Sequence, residues 1–415
     1  MASQRSIFGL LRSRHLLAAG FGCGSMLYGS RVLADDDKPR TVFSWGSSQF
    51  GQLGLGGEDG CAAGNPNPTA SDYLARHNVL SVAAGGESSA VVTSNGDVFT
   101  FGAGGSSRLG HGAALDTPNQ AVPQLVEGLR GEPVTSLSVG EYHMVALTAK
   151  GEVFTWGKDR SPQLGHANAQ RGRPNLVSLP NGARATHVAA GRQQTCAVSE
   201  QGELFSWGLG FEGALGHGTK QNEARPKLVD ALHGHKVVDV SCGREFTLAL
   251  TDAGELFSWG ANDYGQLGQG HTVRYQRSPA KLASMRKRVV AIATGEFHAA
   301  ALADDGTVYT WGQGKEGQLG HNGRDSVSLP RLVEELRGKG VKLLSCGGGH
   351  TAAVDEKEQL WLFGRGRSGQ LGRGDQLESI AAYRSTPTLV EALTQQKVVD
   401  VSLGREHTLA VATPR

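Results

Sequence analysis

Trp259-Gly260-Ala261-Asn262-Asp263-Tyr264-Gly265-Gln266-Leu267-Gly268 decides the fold, because its skeleton returns throughout the chain. An aromatic-Gly pair recurs at Trp45, Phe101, Trp156, Trp207, Trp259, Trp311 and Phe363. Eight residues after each aromatic a Leu-Gly pair begins, at Leu53, Leu109, Leu164, Leu215, Leu267, Leu319 and Leu371. Self-similarity at a fixed period marks a repeat architecture. A second register runs ahead of the first: Gly85, Gly140, Gly191, Gly243, Gly295 and Gly347 each lie 16 residues before the next aromatic. Gly404 is the seventh such glycine and has no aromatic behind it, while the first aromatic strand, Thr41 to Gly46, has no glycine segment ahead of it. The two ends complete each other, which predicts a ring closed by pairing N- and C-terminal strands.

Within one unit, Val237 to Cys242 reads as a strand, Gly243-Arg244-Glu245 as a turn and Phe246 to Leu250 as the returning strand. Asp252-Ala253-Gly254 suits a tight hairpin into a third strand, Glu255 to Trp259. Ala261 to Gly268 is then a loop, and Pro279 to Leu282 a short outer strand whose free edge tolerates proline. Four strands in each of seven units predict an all-β, seven-bladed β-propeller over residues 41–415. Length variation falls in the outer connections, the longest being Gly54 to Val79 and Gly372 to Val398, beside the seam.

The composition agrees with many short strands joined by turns: 60 glycines and 6% aromatic residues in 415. The net charge of +2 comes from the N-terminus, where residues 1–40 hold six Lys/Arg against three Asp and leave 35 basic and 36 acidic residues beyond. A neutral body gives no strong nucleic-acid signal. The five cysteines form no CxxC pair, so no zinc site or disulfide framework is expected.

From Met1 to Ala34 there is no acidic residue, and Arg5, Arg12, Arg14 and Arg31 are interleaved with apolar residues. That is the composition of a mitochondrial targeting segment. The uncharged stretch Leu16 to Ser30 is short for a bilayer span of about 20 residues, so membrane association through residues 16–33 is an expectation about an anchor at the inner membrane, alongside simple targeting by residues 1–40. A secretory signal cleaved after Ala34 is disfavoured by the lack of a cysteine framework.

The Trp-Gly-x6-Gln-Leu-Gly core, as at Trp259 to Gly268, and the Val-x2-Val-x2-Gly-x2-His-Thr segment from Val398 to Thr408 resemble the RCC1 repeat family over residues 41 to 415. The resemblance implies a propeller of RCC1 repeats, closest in kind to the mitochondrial RCC1-like proteins. For function it implies a non-enzymatic scaffold that supports assembly of an inner-membrane respiratory complex or the mitochondrial ribosome. The alternative is a guanine-nucleotide exchange factor for a small or organellar GTPase. The family's photoreceptor role needs tryptophans in Gly-Trp-Arg-His-Thr segments, and the matching segments at Gly140, Gly191, Gly243 and Gly404 contain none.

Residues that suggest chemistry read as architecture. His111, His166, His217 and His321 follow Leu-Gly, but the slot also takes Leu55, Gln269 and Arg373, and successive blades hold it too far apart for a metal. His143, His298, His350 and His407 share a slot with Ser88, Gln194 and Phe246, which fits hydrogen bonding or packing better than a general base. Cys242 and Cys346 read as core thiols. No catalytic residue, metal or cofactor is expected. If the first strand of a blade ends at the marker glycine and the third at aromatic-Gly, both following loops emerge on one face. That face collects Glu141, Arg192, Arg244, Glu245, Glu296, Arg405 and Glu406 from the first loop, with Lys158, Arg160, Asp263, Lys315, Arg365 and Arg367 from the second. It is the candidate surface for a protein partner, a GTPase included; the competing reading is loops whose charges pair among themselves.

Overall fold

Apolar runs broken by glycine turns fold as antiparallel four-stranded blades, and the computed structural model arranges seven of them. It describes residues 17–19, 39–56, 64–112, 118–158, 162–166, 172–270, 273–374 and 383–415. Blades are numbered I to VII from residue 79. Blade IV shows the pattern, with strands Val237–Cys242, Phe246–Thr251, Leu256–Ala261 and Tyr275–Lys281 from the axis outward. Its outer strand begins earlier than proline tolerance alone suggested, because Tyr275 already pairs with Ala261. Leu282 instead leaves the strand and turns into the core, its N–H donating to the Leu256 carbonyl at 2.9 Å. Pro66, Pro68, Pro123, Pro226, Pro279, Pro330 and Pro387 all lie in outermost strands, where a missing N–H costs no ladder bond.

Blade VII closes the ring as the two registers predicted. Its inner strands are Gln396–Leu403 and His407–Pro414, and its outer strands Thr41–Gly46 and Asn65–Ala70, with Trp45 paired to Thr408. Leu17–Ala19 form a short strand parallel to Leu343–Ser345, on the axial side of blade VI. Residues 1–16 and 20–38 of the expected targeting or anchor segment lie outside the described residues. No helix among the described residues is long and apolar enough to cross a membrane.

The core lies between blades. One apolar cluster joins Ala189, Cys196 and Val198 of blade III to Val240, Cys242 and Trp259 of blade IV, and each of the other six interfaces has its own. The repeating motif is the latch across these interfaces. Trp259 is fully buried and its Nε1 donates to the Ala214 carbonyl of blade III at 2.9 Å. Trp311 does the same to Gln266, Trp207 to Gln163 and Trp45 to Gln370, at 2.9 to 3.0 Å. The Leu-Gly glycine lies against the next blade's indole: a Cβ on Gly268 would meet Trp311 Nε1 at 2.7 Å, and its φ of +70° also favours glycine. The marker glycines meet around the axis, where a Cβ on Gly85 would lie 2.5 Å from the Gly140 carbonyl oxygen and one on Gly404 2.6 Å from that of Gly85. The spacing of eight is thus the distance from an indole to the loop that clamps the next one.

Candidate functional site

The first strand of each blade ends at the marker glycine and the third at aromatic-Gly, so both following loops do emerge on one face. They are tied together by backbone bonds: Ala261 N–H donates to Glu245 O at 2.8 Å, and Lys158 N–H to Tyr142 O at 2.9 Å. The loop tips are stiffened by the glutamine of Gln-Leu-Gly, whose Oε1 accepts from Tyr264 N–H, Glu316 N–H and Ser368 N–H in successive blades at 2.9 Å. The face is therefore a rigid surface presenting side chains that vary between blades.

Nearest the axis, the charges pair across blades. Arg192 reaches Glu141 at 3.2 Å on one side and Glu245 at 2.8 Å on the other. Burial works against the Arg192 charge, yet those two carboxylates hold its pKa above the ordinary value. Arg405 pairs with Glu296 at 3.3 Å and Arg365 with Glu406 at 3.1 Å. Burial raises the Glu296 carboxyl above its ordinary range, with Arg405 and Arg244 pulling it back. For this inner ring, paired loops describe the geometry.

Other cations of the face stand on aromatic rings, Lys158 and Lys315 from the second loop and Arg244 from the first. Lys158 stands over the Tyr142 ring at 4.5 Å, Lys315 over Tyr264 at 5.6 Å and Arg244 over Phe297 at 5.2 Å. Tyr264 and Phe297 are themselves in edge contact at 5.2 Å. Among the described residues no ion pair reaches Lys158, Arg244, Lys315 or the exposed Arg367. Asp263 pairs with Arg274 at 3.2 Å. Arg160 lies outside the described residues.

Sequence reasoning passed over two neighbours of these residues. Phe211 is 47% exposed and occupies the same loop-tip slot as Asp263, Lys315 and Arg367, which a search restricted to charge does not find. Arg108 stands where five other blades have the latch glutamine. It is buried, pairs with Glu87 at 3.5 Å, donates to the Gly105 and Glu141 carbonyls and lies 5.7 Å from the Tyr142 ring. Ser106 and Ser107 before it both adopt left-handed φ, 63° and 56°, an uncommon state for residues with a Cβ. A residue that breaks its slot's pattern is the signal that identifies both Phe211 and Arg108.

The histidines hold the ring together. His143 Nε2 meets Thr195 Oγ1 of the next blade at 2.8 Å, His298 meets Thr351 at 2.8 Å and His407 meets Ser89 across the seam at 2.9 Å. Full burial pushes each imidazole down to about 3, so each is neutral at pH 7. The histidines after Leu-Gly bond the third strand of their own blade, as His321 does with Thr310 Oγ1 at 2.9 Å. Cys242 and Cys346 are buried free thiols whose pKa values burial raises. Among the described residues, no His, Cys, Asp and Glu side chains gather in threes as a metal site requires.

The RCC1-like domain family matches residues 114–414, and the regulator of chromosome condensation (RCC1) repeat matches residues 41–92. The Homo sapiens E3 ubiquitin-protein ligase HERC2 is 36% identical over 90% of this chain, which spans only 8% of that protein's length. The Arabidopsis thaliana mitochondrial RCC1 domain-containing protein RUG3 is 32% identical over 94% of this chain and 92% of its own. The crystal structure of human WBSCR16 superposes with a TM-score of 0.79 at 25% identity, covering 90% of this chain and 99% of that one. The period, the interblade latch and these matches agree: the chain belongs to the RCC1-like family of seven-bladed propellers.

Proposed function

We propose that the chain is a non-enzymatic mitochondrial scaffold whose loop face docks a protein partner, with residues 1–40 directing it to mitochondria and 41–415 forming the propeller. One observation carries the docking reading. On a rigid ring most of whose inner charges are already paired, Lys158, Arg244, Lys315 and Arg367 have no ion-pair partner among the described residues, and three of them stand on aromatic rings. Cations held over ring faces, on a face that also exposes Phe211, form a surface that meets an acidic, partly aromatic partner. The likeness to mitochondrial RUG3 along nearly the whole chain supports the compartment. In that setting, the scaffold serves assembly of a respiratory complex at the inner membrane or of the mitochondrial ribosome.

The test is a full-length variant combining Lys158→Glu, Lys315→Glu and Arg367→Glu, which breaks no internal ion pair among the described residues. It is expected to lose stoichiometric partners that co-purify with the wild type while keeping its melting profile. Recovery of the same proteins in the same yield contradicts the docking reading. Guanine-nucleotide exchange is the competing function, and it needs no catalytic side chain, only a loop that displaces nucleotide from the partner. Accelerated nucleotide release from a captured GTPase, at catalytic amounts of the chain, replaces the scaffold reading with that one.

A further inference from the structure

The opposite face of the ring has a recess of about 330 Å³ between blades III, IV and V. Its walls are the starts of the innermost strands, including His187, Val238, Asp239 and Val290, with Leu250 behind them. Four exposed charges line its rim, Lys236 and Arg288 against Glu200 and Asp252, and these balance. Arg288 is also turned onto the Asp252 carbonyl, donating at 2.8 Å. His187 contacts Thr186 Oγ1 at 3.1 Å, and burial holds its pKa down at about 4, so it is neutral at pH 7.

Internal repetition supplies a control for Asp239. Four residues before the marker glycine, blade VII has Asp400 and blade IV has Asp239. Asp400 is buried and uses both oxygens, Oδ2 accepting from Val82 N–H of the next blade at 3.0 Å and Oδ1 from Val401 N–H at 2.9 Å. Asp239 Oδ1 likewise accepts from Val240 N–H, at 2.8 Å. Among the described residues nothing bonds its other oxygen, and the side chain lines the recess. The recess thus offers one carboxyl without a counter-charge, next to aliphatic walls.

We infer that this recess binds an alkylammonium group, the end of a lysine side chain or a free amine, with Asp239 as counter-ion and Val238, Leu250 and Val290 against the alkyl stem. Burial pushes the Asp239 pKa up to about 8 in the empty recess. At neutral pH the carboxyl is therefore mostly protonated, and an entering ammonium displaces that proton to solvent while keeping its own. Affinity should then rise about tenfold per pH unit below about pH 8 and level off above it, as the competing proton is lost. His187, Lys236, Glu200, Asp252 and Arg288 also face the recess.

Calorimetric titration of the full-length chain with n-butylammonium chloride, and with an acetylated, amidated Gly-Lys-Gly peptide, tests the site. The expected result is saturable binding that strengthens with pH as described and is lost in Asp239→Asn. Binding of both probes identifies a lysine side chain as an acceptable ligand, and binding of the amine alone restricts the site to free amines; either supports the inference. Absence of saturable binding above about pH 8, equal binding of uncharged n-butanol, or pH-independent binding overturns it. If Asp239→Asn does not fold, carboxyl-carbon NMR of Asp239 in the wild type decides instead: its pKa should fall when n-butylammonium is present, and an unmoved pKa overturns the inference.

Discussion

Gly85→Ala tests how closely the blades approach at the axis. Gly85 has no left-handed φ, so alanine meets no backbone strain there, only crowding. The added Cβ would lie 2.5 Å from both the Gly140 carbonyl oxygen and Val139 Cγ1. The first contact is backbone of the neighbouring blade, held by its own ladder, and cannot swing away. Overpacking of this kind costs about 1–3 kcal/mol, while the smaller unfolded ensemble of alanine returns about 0.4–1 kcal/mol. A net loss of about 1 kcal/mol is expected. Gly323 is the matched control: it also has no left-handed φ, but a Cβ there meets nothing within 4 Å. Gly323→Ala should be neutral or stabilise by about 0.5 kcal/mol. Urea unfolding followed by tryptophan fluorescence measures both. If the two variants shift stability alike, the ring of close glycine contacts does not hold the blades as described.

The latch makes a second comparison possible. Trp259 Nε1 bonds the Ala214 carbonyl, whereas Trp156 Nε1 is buried without an acceptor among the described residues. Trp259→Phe should therefore cost about 1 kcal/mol more than Trp156→Phe by chemical unfolding, and equal costs would dismiss the bond's contribution. Acid should unfold the ring through its histidines. His143, His298, His350 and His407 have folded pKa values pushed down to about 3, against about 6.5 when unfolded. Below about pH 6.5 the unfolded chain takes up protons that the folded one refuses, so stability is complete above that pH and falls as pH drops toward about 3. The slope approaches roughly 1.4 kcal/mol per pH unit for each histidine; an unfolding free energy flat between about pH 6 and about pH 4 contradicts this. Because Phe246 fills the same slot in blade IV, His298→Phe should be tolerated better than His298→Ala, with melting temperature as the readout and the reverse order as refutation.

The fold was legible because its determinants are local and repeated. An aromatic, a glycine and a Leu-Gly pair at fixed spacing pack one aromatic ring against the next blade's loop at each interface, with an indole hydrogen bond added at four of them, and the displaced registers at the two ends encode the closing blade. The early start of the outer strand at Tyr275 was missed because edge pairing there depends on Ala261 continuing its strand, which no turn signal announces. The loop face was legible as a set of charged positions, but its pairing was not. Arg192 finds Glu141 and Glu245 on the two neighbouring blades, so only the ring's curvature decides which charges are satisfied. Phe211 and Arg108 were hidden in slots whose usual occupants are polar. The contrast between Asp239 and Asp400 is invisible in sequence, since both are aspartates in one slot and only the recess beside one separates them.

Hydrogen–deuterium exchange on the full-length chain, free and bound to its most abundant stoichiometric co-purifying protein, tests the central claim most directly by locating the partner. Protection should fall on the loops around Tyr142, Lys158, Phe211, Arg244 and Lys315, and leave the opposite hairpins near Gly151, Gly202 and Gly254 unchanged. Protection confined to those hairpins would contradict the account, because the surface whose cations have no ion-pair partner among the described residues would then not be the one that docks.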